Sequence, residues 1–207
     1  MTSRPSCTYA TAKRALDVGG AAVLLLCLSP LLGVLAVWIW WDDGRPVLFT
    51  QPRAGKNGRL FRILKFRSLS TSPGDPTTPA EHTTACGAVL RRWGLDELPQ
   101  LWNVLRGDMS LVGPRPPLPG DASAYDARQR TRLEVRPGLT GWAQIHGRNA
   151  LSWPERIDHD LWYVRNRSLP LDLLILARTP LVLIRGTGVY GPEGRNPSFS
   201  SSPESHA

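Results

Sequence analysis

The sequence predicts an α+β, mostly helical fold. A re-entrant helix hairpin dips into a membrane at the N-terminus, and a small cytoplasmic domain with amphipathic interfacial helices follows. Three observations predict it. Residues 18–41 contain no charged side chain, a run long enough to cross a hydrocarbon core of about 30 Å. Ser29-Pro30 sits in the middle of that run, and basic residues flank both of its ends. The rest of the chain alternates short strand-like stretches with helical spacings and loops.

Residues 1–12 are short and polar and read as a frayed segment. The apolar run ends in Trp38, Trp40 and Trp41, a belt suited to the membrane–water boundary. A signal peptide is disfavoured, because the run is too long and no small-residue cleavage site follows it. Pro30 removes a helical N–H and clashes with the carbonyl of Leu26. The Ser29 hydroxyl can bond back to a carbonyl one turn earlier and partly repair the break. Arg4, Lys13 and Arg14 precede the run. Arg45, Arg53, Lys56, Arg59, Arg62, Lys65 and Arg67 follow it, against Asp42 and Asp43. Basic residues favour the cytoplasmic side, and a hairpin broken at Ser29-Pro30 satisfies both clusters. A single span with a tolerated proline kink is the alternative.

Beyond the run, residues 46–51 read as a strand, 55–58 as a turn, and 60–66 as a strand or helix start. Residues 71–84 form a loop rich in Ser, Thr, Pro and Gly. Leu95, Leu98, Leu101, Trp102 and Leu105 follow helical spacing. Residues 115–120 hold Pro116, Pro117 and Pro119 and are expected to be non-helical. Residues 152–165 are a helix opened by a capping box, Ser152 with Glu155, and its apolar face is Ile157, Leu161 and Val164. Residues 171–184 are too short to span and suit a buried or interfacial helix. Residues 186–207 read as a loose tail. The division expected is 1–12 polar segment, 13–41 membrane helix, 42–188 soluble domain and 189–207 tail.

The charge balance narrows the function. Net charge is +8, and the basic excess is almost all arginine, since the only lysines are Lys13, Lys56 and Lys65. That calls for an anionic partner: nucleic acid, anionic lipid or a phosphorylated substrate. Cys7, Cys27 and Cys86 fit neither a disulfide scaffold nor a zinc site. The four histidines never pair at i, i+4, so a His/Cys metal centre is not expected.

The sharpest site is Leu95-Asp96-Glu97-Leu98-Pro99-Gln100. Proline is tolerated only in the first turn of a helix, which puts a helix start near Asp96 with Asp96 as its N-cap. Ordinary capping is the plain alternative. A carboxylate nucleophile needs no neighbouring base, because it is ionised near neutral pH. A second carboxylate beside it could help hold Mg²⁺. Arg91 and Arg92 lie just upstream and could pair with the carboxylates or with a phosphate. Arg115 is locked between Pro114 and Pro116, a rigid mount for a phosphate clamp or for a structural ion pair. Residues 135–149 are glycine-rich, a turn beside a strand or a close approach to ligand. Lys65 and Arg67 read equally as phosphate or headgroup contacts and as a solvated basic face.

Taken together these pieces resemble the small monotopic phosphoglycosyl transferases, bacterial sugar transferases that begin glycoconjugate assembly on a polyprenol phosphate. The resemblance rests on Lys13-Arg14 with Asp17, Ser29-Pro30, Lys65-Phe66-Arg67-Ser68 and Leu95 to Leu101. It continues through Asn103-Val104-Leu105, Gly107 to Pro116, Arg136-Pro137-Gly138, Thr140-Gly141, Gln144, Gly147-Arg148-Asn149 and Trp153. Leu69 stands where methionine is usual and His146 where asparagine is usual. The loop before Arg91 lacks the Asp-x-Arg pattern of larger members, and the minimal catalytic form is expected.

The resemblance implies that Asp96 is the nucleophile with Glu97 beside it, and that Asp96 and Glu97 are the metal site for Mg²⁺. It implies Arg91 and Arg115 as phosphate-binding residues and Ser29 and Pro30 as the membrane helix break. The implied reaction moves a sugar 1-phosphate from a nucleoside diphosphate sugar, UDP-linked by expectation, to polyprenol (undecaprenyl) phosphate through an aspartyl intermediate. The implied location is the bacterial cytoplasmic membrane, with membrane lipids as partners, no nucleic acid, and a homodimer left open. The rival is a non-catalytic, membrane-tethered basic module that binds anionic lipid or nucleic acid. It explains the charge and the anchor, but not the Asp96-Glu97 pair or the prolines around Arg115.

Overall fold

A computed structural model describes residues 7–69 and 83–186. Most of the expected 71–84 loop, His82, and the tail beyond residue 186 lie outside the described residues.

Helix α1 (Cys7–Asp43) is one helical element of 37 residues that contains Pro30. At 1.5 Å per residue it would be about 55 Å long if straight. It begins at Cys7, so residues 7–12, expected to be frayed, are helical. Pro30 has no N–H to give the carbonyl of Leu26, and the Ser29 hydroxyl donates to that carbonyl instead, at 2.8 Å. The helix is long and apolar enough to cross a membrane, and most of its apolar window is exposed.

The two ends of α1 pack on the same domain. Ala21 belongs to the main core, and Leu35 and Ile39 to a second cluster with Phe66, Cys86 and Leu90. Val23, Leu24, Leu26, Leu31 and Val34 between them are exposed.

After α1 come β1 (Leu48–Ala54) and β2 (Leu60–Phe66), an antiparallel hairpin in the register Leu48 with Phe66 through Ala54 with Leu60. The 55–58 turn uses the left-handed region at Asn57 and Gly58, where Asn and Gly are least penalised. The expected strand at 46–51 begins and ends later, and the segment at 60–66 is a strand.

Helix α2 (Ala85–Trp93) is capped by Thr84 and ends at left-handed Gly94. A 3₁₀ turn (Leu95–Gln100) leads into α3 (Leu101–Arg106). Asn103 of α3 continues the β2 edge with its amide: Oδ1 accepts from Leu64 N at 3.0 Å and Nδ2 donates to the Arg62 carbonyl at 2.8 Å. That pins the start of α3 against the hairpin.

Next come β3 (Ser110–Val112), α4 (Pro119–Ala124), α5 (Ala127–Arg130) and β4 (Gly138–Thr140), with β3 and β4 paired in parallel. Residues 119 and 120 were expected to be non-helical, but Pro119 opens α4 at the position where a missing N–H costs nothing. The fold closes with α6 (Trp142–His146), α7 (Trp153–Asn166) and α8 (Leu169–Arg185). The Ser152–Glu155 capping box is present, and Ile157, Leu161 and Val164 are buried. Leu173, Leu174, Leu181 and Ile184 of α8 stay exposed.

A polar network ties α1 to α3, β3 and α8. Asp172 is fully buried and accepts from Tyr9 (3.1 Å), Lys13 (3.0 Å) and Tyr163 (2.7 Å). Asp17 accepts from the Ser110 hydroxyl and the Leu111 N–H at 2.9 and 3.0 Å. Arg14 donates to the carbonyls of Val104 and Leu105, which supplies the acceptor-rich end of α3 with donors.

Candidate active site

A cavity of about 530 Å³ opens between the hairpin, the 3₁₀ turn, the segment after β3 and the start of α7. Asp96, Glu97, Arg91 and Arg115 all line it. The structure therefore brings together the candidate residues separated by up to 24 positions in the chain. Ser29 and Pro30 do not line it and lie in the exposed middle of α1.

The geometry starts with α2. A Cβ on Gly87 would fall 2.1 Å from the Ser68 carbonyl oxygen, so glycine lets α2 press against the end of β2. Arg91, one turn on, then reaches Ser68 with its Nε at 2.9 Å. Gly94, at φ +67°, reverses the chain and sets Asp96 and Glu97 in the first turn of the 3₁₀ segment. Asp96 was expected to be a helix N-cap. The cap position belongs to Gly94 and no side chain caps this turn, because Pro99 is accommodated in a 3₁₀ turn rather than an α-helix. That correction frees the carboxylate of Asp96.

The two carboxylates have opposite surroundings. Glu97 accepts Arg115 in a fork, Nη2 to Oε1 at 2.6 Å and Nη1 to Oε2 at 3.3 Å, and Lys65 Nζ at 2.7 Å. Burial alone would raise its pKa, but Arg115 and Lys65 outweigh it and hold Glu97 well below the usual carboxylate range. Asp96 is 8% exposed, and among the described residues nothing hydrogen-bonds its carboxylate. Burial pushes it up to about 6, with the charge of Glu97 acting in the same direction. Glu97 also keeps Arg115 firmly charged, since its negative charge is the largest influence on the guanidinium.

Arg67 lines the cavity and is also tied into the fold. It is buried, pairs with Asp43 at 3.0 Å, and donates to the carbonyls of Asp43 and Gly44. It fastens the end of α1 to β2. Lys65, by contrast, belongs to the site as a partner of Glu97. Of the glycine-rich 135–149 segment, Ala143, Gln144, Arg148 and Asn149 line the cavity. Both polar atoms of the Gln144 amide are buried without a partner. Leu69 lines the cavity, whereas His146 is not among its lining residues and lies against Trp142, ring centroids 4.1 Å apart and tilted by 45°.

Reasoning from sequence missed Arg53, Arg132 and Arg156, which also line the cavity. Arg132 is buried against Asp160 and the Tyr125 hydroxyl. The global arginine excess was the only signal for them. No spacing rule links Arg53 of β1, Arg132 in a 3₁₀ turn at Thr131–Glu134 and Arg156 of α7.

No group of three or more metal-ligating side chains occurs among the described residues. Mg²⁺ needs only one or two carboxylates when substrate phosphates and water complete its shell. The open carboxylate of Asp96 meets that requirement. Glu97 is occupied by two cations.

Comparison with known proteins gives a consistent picture. The family model described as bacterial sugar transferase matches residues 8–186. An uncharacterized sugar transferase of Bacillus subtilis, EpsL, is 42% identical over 180 residues, covering 86% of this chain and 89% of the relative. The exopolysaccharide production protein ExoY of Rhizobium meliloti is 39% identical, covering 86% and 88%. The undecaprenyl-phosphate glucose phosphotransferase of Komagataeibacter xylinus is 44% identical over 184 residues, but this chain spans only 35% of its length.

Proposed function

We propose that this chain, which belongs to the bacterial sugar transferase family, transfers a sugar 1-phosphate from a UDP-sugar to undecaprenyl phosphate through a covalent acyl phosphate, a mixed anhydride on Asp96. The observation that carries the reading is the contrast between Asp96 and Glu97. A nucleophilic carboxylate must be ionised, with one oxygen free to attack. Asp96 is buried, unbonded and poised near neutrality. The adjacent Glu97 holds Arg115 and Lys65 at fixed positions.

In the first step Asp96 attacks the sugar-linked phosphorus and nucleoside monophosphate leaves. In the second, an oxygen of the lipid phosphate attacks the same phosphorus and releases Asp96. Arg91 and Arg115 stabilise charge on the transferring phosphoryl oxygens from preset positions, which lowers the barrier more than mobile water would. Mg²⁺, held by Asp96 together with substrate phosphate, would neutralise further phosphate charge.

The membrane arrangement follows from α1. Both ends of the helix pack on one domain, while Val23, Leu24, Leu26, Leu31 and Val34 are exposed. A re-entrant helix on the cytoplasmic face fits this better than a span, because both basic flanks then stay inside. The apolar side chains exposed on α8 suit the interface, where a lipid-linked acceptor arrives.

The test uses purified protein and UDP-sugars without lipid acceptor. A burst of uridine monophosphate equal to the enzyme is expected. The peptide carrying Asp96 should gain the mass of a sugar phosphate. No burst from any UDP-sugar in the panel overturns the reading. The topology is tested with single cysteines at Thr2 and Asn57 and an impermeant thiol reagent on intact cells. Labelling at position 2 would mean a spanning helix.

A further inference from the structure

Eight cations line the cavity against three carboxylates, Asp96, Glu97 and Asp121. Lys65 and Arg115 pair with Glu97, Arg67 with Asp43 and Arg132 with Asp160. Arg91 is held by Ser68. The other three, Arg53, Arg148 and Arg156, have no carboxylate within ion-pair distance among the described residues. Each keeps a buried N–H with no acceptor: Nε of Arg53, Nη1 of Arg148 and Nε of Arg156.

Neutral groups hold two of them in place. Arg53 donates to Gln51 Oε1 at 2.7 Å and to the Pro116 carbonyl at 3.3 Å. Arg156 donates to the Leu151 carbonyl at 3.3 Å and lies over the Trp153 ring at 4.8 Å. Burial, and then the charge of Arg115, push both down to about 10. Desolvated cations without counter-charge are costly, and buried N–H groups without acceptors add to the cost. An oxyanion offering several acceptors relieves both, and phosphate is the anion that guanidinium forks fit best.

We infer that Arg53, Arg148 and Arg156 form a second phosphate subsite used twice per cycle, first by the departing nucleoside monophosphate and then by the entering lipid phosphate. This rests on the double displacement at Asp96. In step one the bond from Asp96 Oδ to phosphorus forms. The bond from phosphorus to the nucleoside phosphate oxygen breaks and leaves its electron pair on that oxygen. In step two an oxygen of the lipid phosphate forms a bond to the same phosphorus, and the bond to Asp96 breaks. No proton need move, since both phosphates are ionised. Phosphoryl transfer sets attacking and leaving oxygens roughly in line. With Asp96 on one face in both steps, the other phosphate occupies the opposite face both times. One set of cations therefore serves both phosphates.

The test compares Arg53→Gln, Arg148→Gln and Arg156→Gln with wild type, and Arg156→Lys as a milder change. Three quantities are read: calorimetric binding of uridine monophosphate and of inorganic phosphate, KM for undecaprenyl phosphate, and melting temperature. The expected result is weaker uridine monophosphate binding and a higher KM for the lipid, in parallel and by about tenfold each. Melting temperature should hold or rise, because an uncompensated cation has been removed. Arg156→Lys should fall between wild type and Arg156→Gln in both binding readouts. A change in only one of the two substrates overturns the shared subsite, as does a drop in melting temperature with binding intact. Failure of the Asp96 reading looks different: wild type binds uridine monophosphate but gives no burst of it from UDP-sugar.

Discussion

Asp172 and Asp96 are both buried carboxylates, and their surroundings differ completely. Asp172, fully buried, receives Tyr9, Lys13 and Tyr163. Asp96, 8% exposed, receives no donor among the described residues. The same contrast holds for arginine. Arg132 has a buried carboxylate partner in Asp160, whereas Arg53, Arg148 and Arg156 have no carboxylate within ion-pair distance among the described residues. A satisfied buried charge holds elements together. A buried charge without a counter-charge costs the empty protein stability, and an oppositely charged ligand offsets that cost.

The strongest way to break this comparison is Asp96→Asn. Turnover should fall at least about a thousandfold, since an amide is no nucleophile toward phosphorus. Melting temperature should hold or rise. Uridine monophosphate release and a thermal melt on the same sample check both halves; near-normal release sinks the assignment.

Asp172→Ala is the structural counterpart. It leaves Lys13 and two tyrosine hydroxyls short of their acceptor and should cost about 3 kcal/mol. Denaturation in detergent would show it, with Asp172→Asn milder because it still accepts from the tyrosines.

Arg115→Lys should slow turnover by roughly ten- to a hundredfold despite keeping the charge, because an ammonium cannot reproduce a two-pronged contact. Unchanged kcat and KM would make Arg115 purely structural.

The smallest effect sharpens the contrast within the dyad. In metal-free protein the Asp96 carboxyl should titrate near 6 while Glu97 stays ionised well below the usual range. Carbon-13 carboxyl spectra of wild type and Asp96→Asn would separate the two. The signs follow from linkage. A raised carboxyl costs stability as pH climbs from its unfolded value to about 6, and the penalty is constant above that. The stability that Glu97 contributes is present above its unfolded value and is lost as pH falls through its lowered one.

What the sequence determined by itself was local. Ser152 and Glu155 specify the start of α7 because a capping box is settled within four residues. Ser29 repairs the bond that Pro30 removes because donor and acceptor lie three residues apart. The Asp96-Glu97 pair and the proline-locked Arg115 could be picked out as chemistry for the same reason. Tertiary structure decided everything that needs a distant partner. The strand at Ser110–Val112 exists because it pairs with Gly138–Thr140, and three residues carry too little pattern to announce it. Arg67 became a fastener through Asp43, and Asp17 an anchor through Ser110, 93 positions away. Which carboxylate of the dyad is free was decided the same way. Lys65 and Arg115 come from different elements, and only folding puts both on Glu97 and neither within hydrogen-bond reach of Asp96.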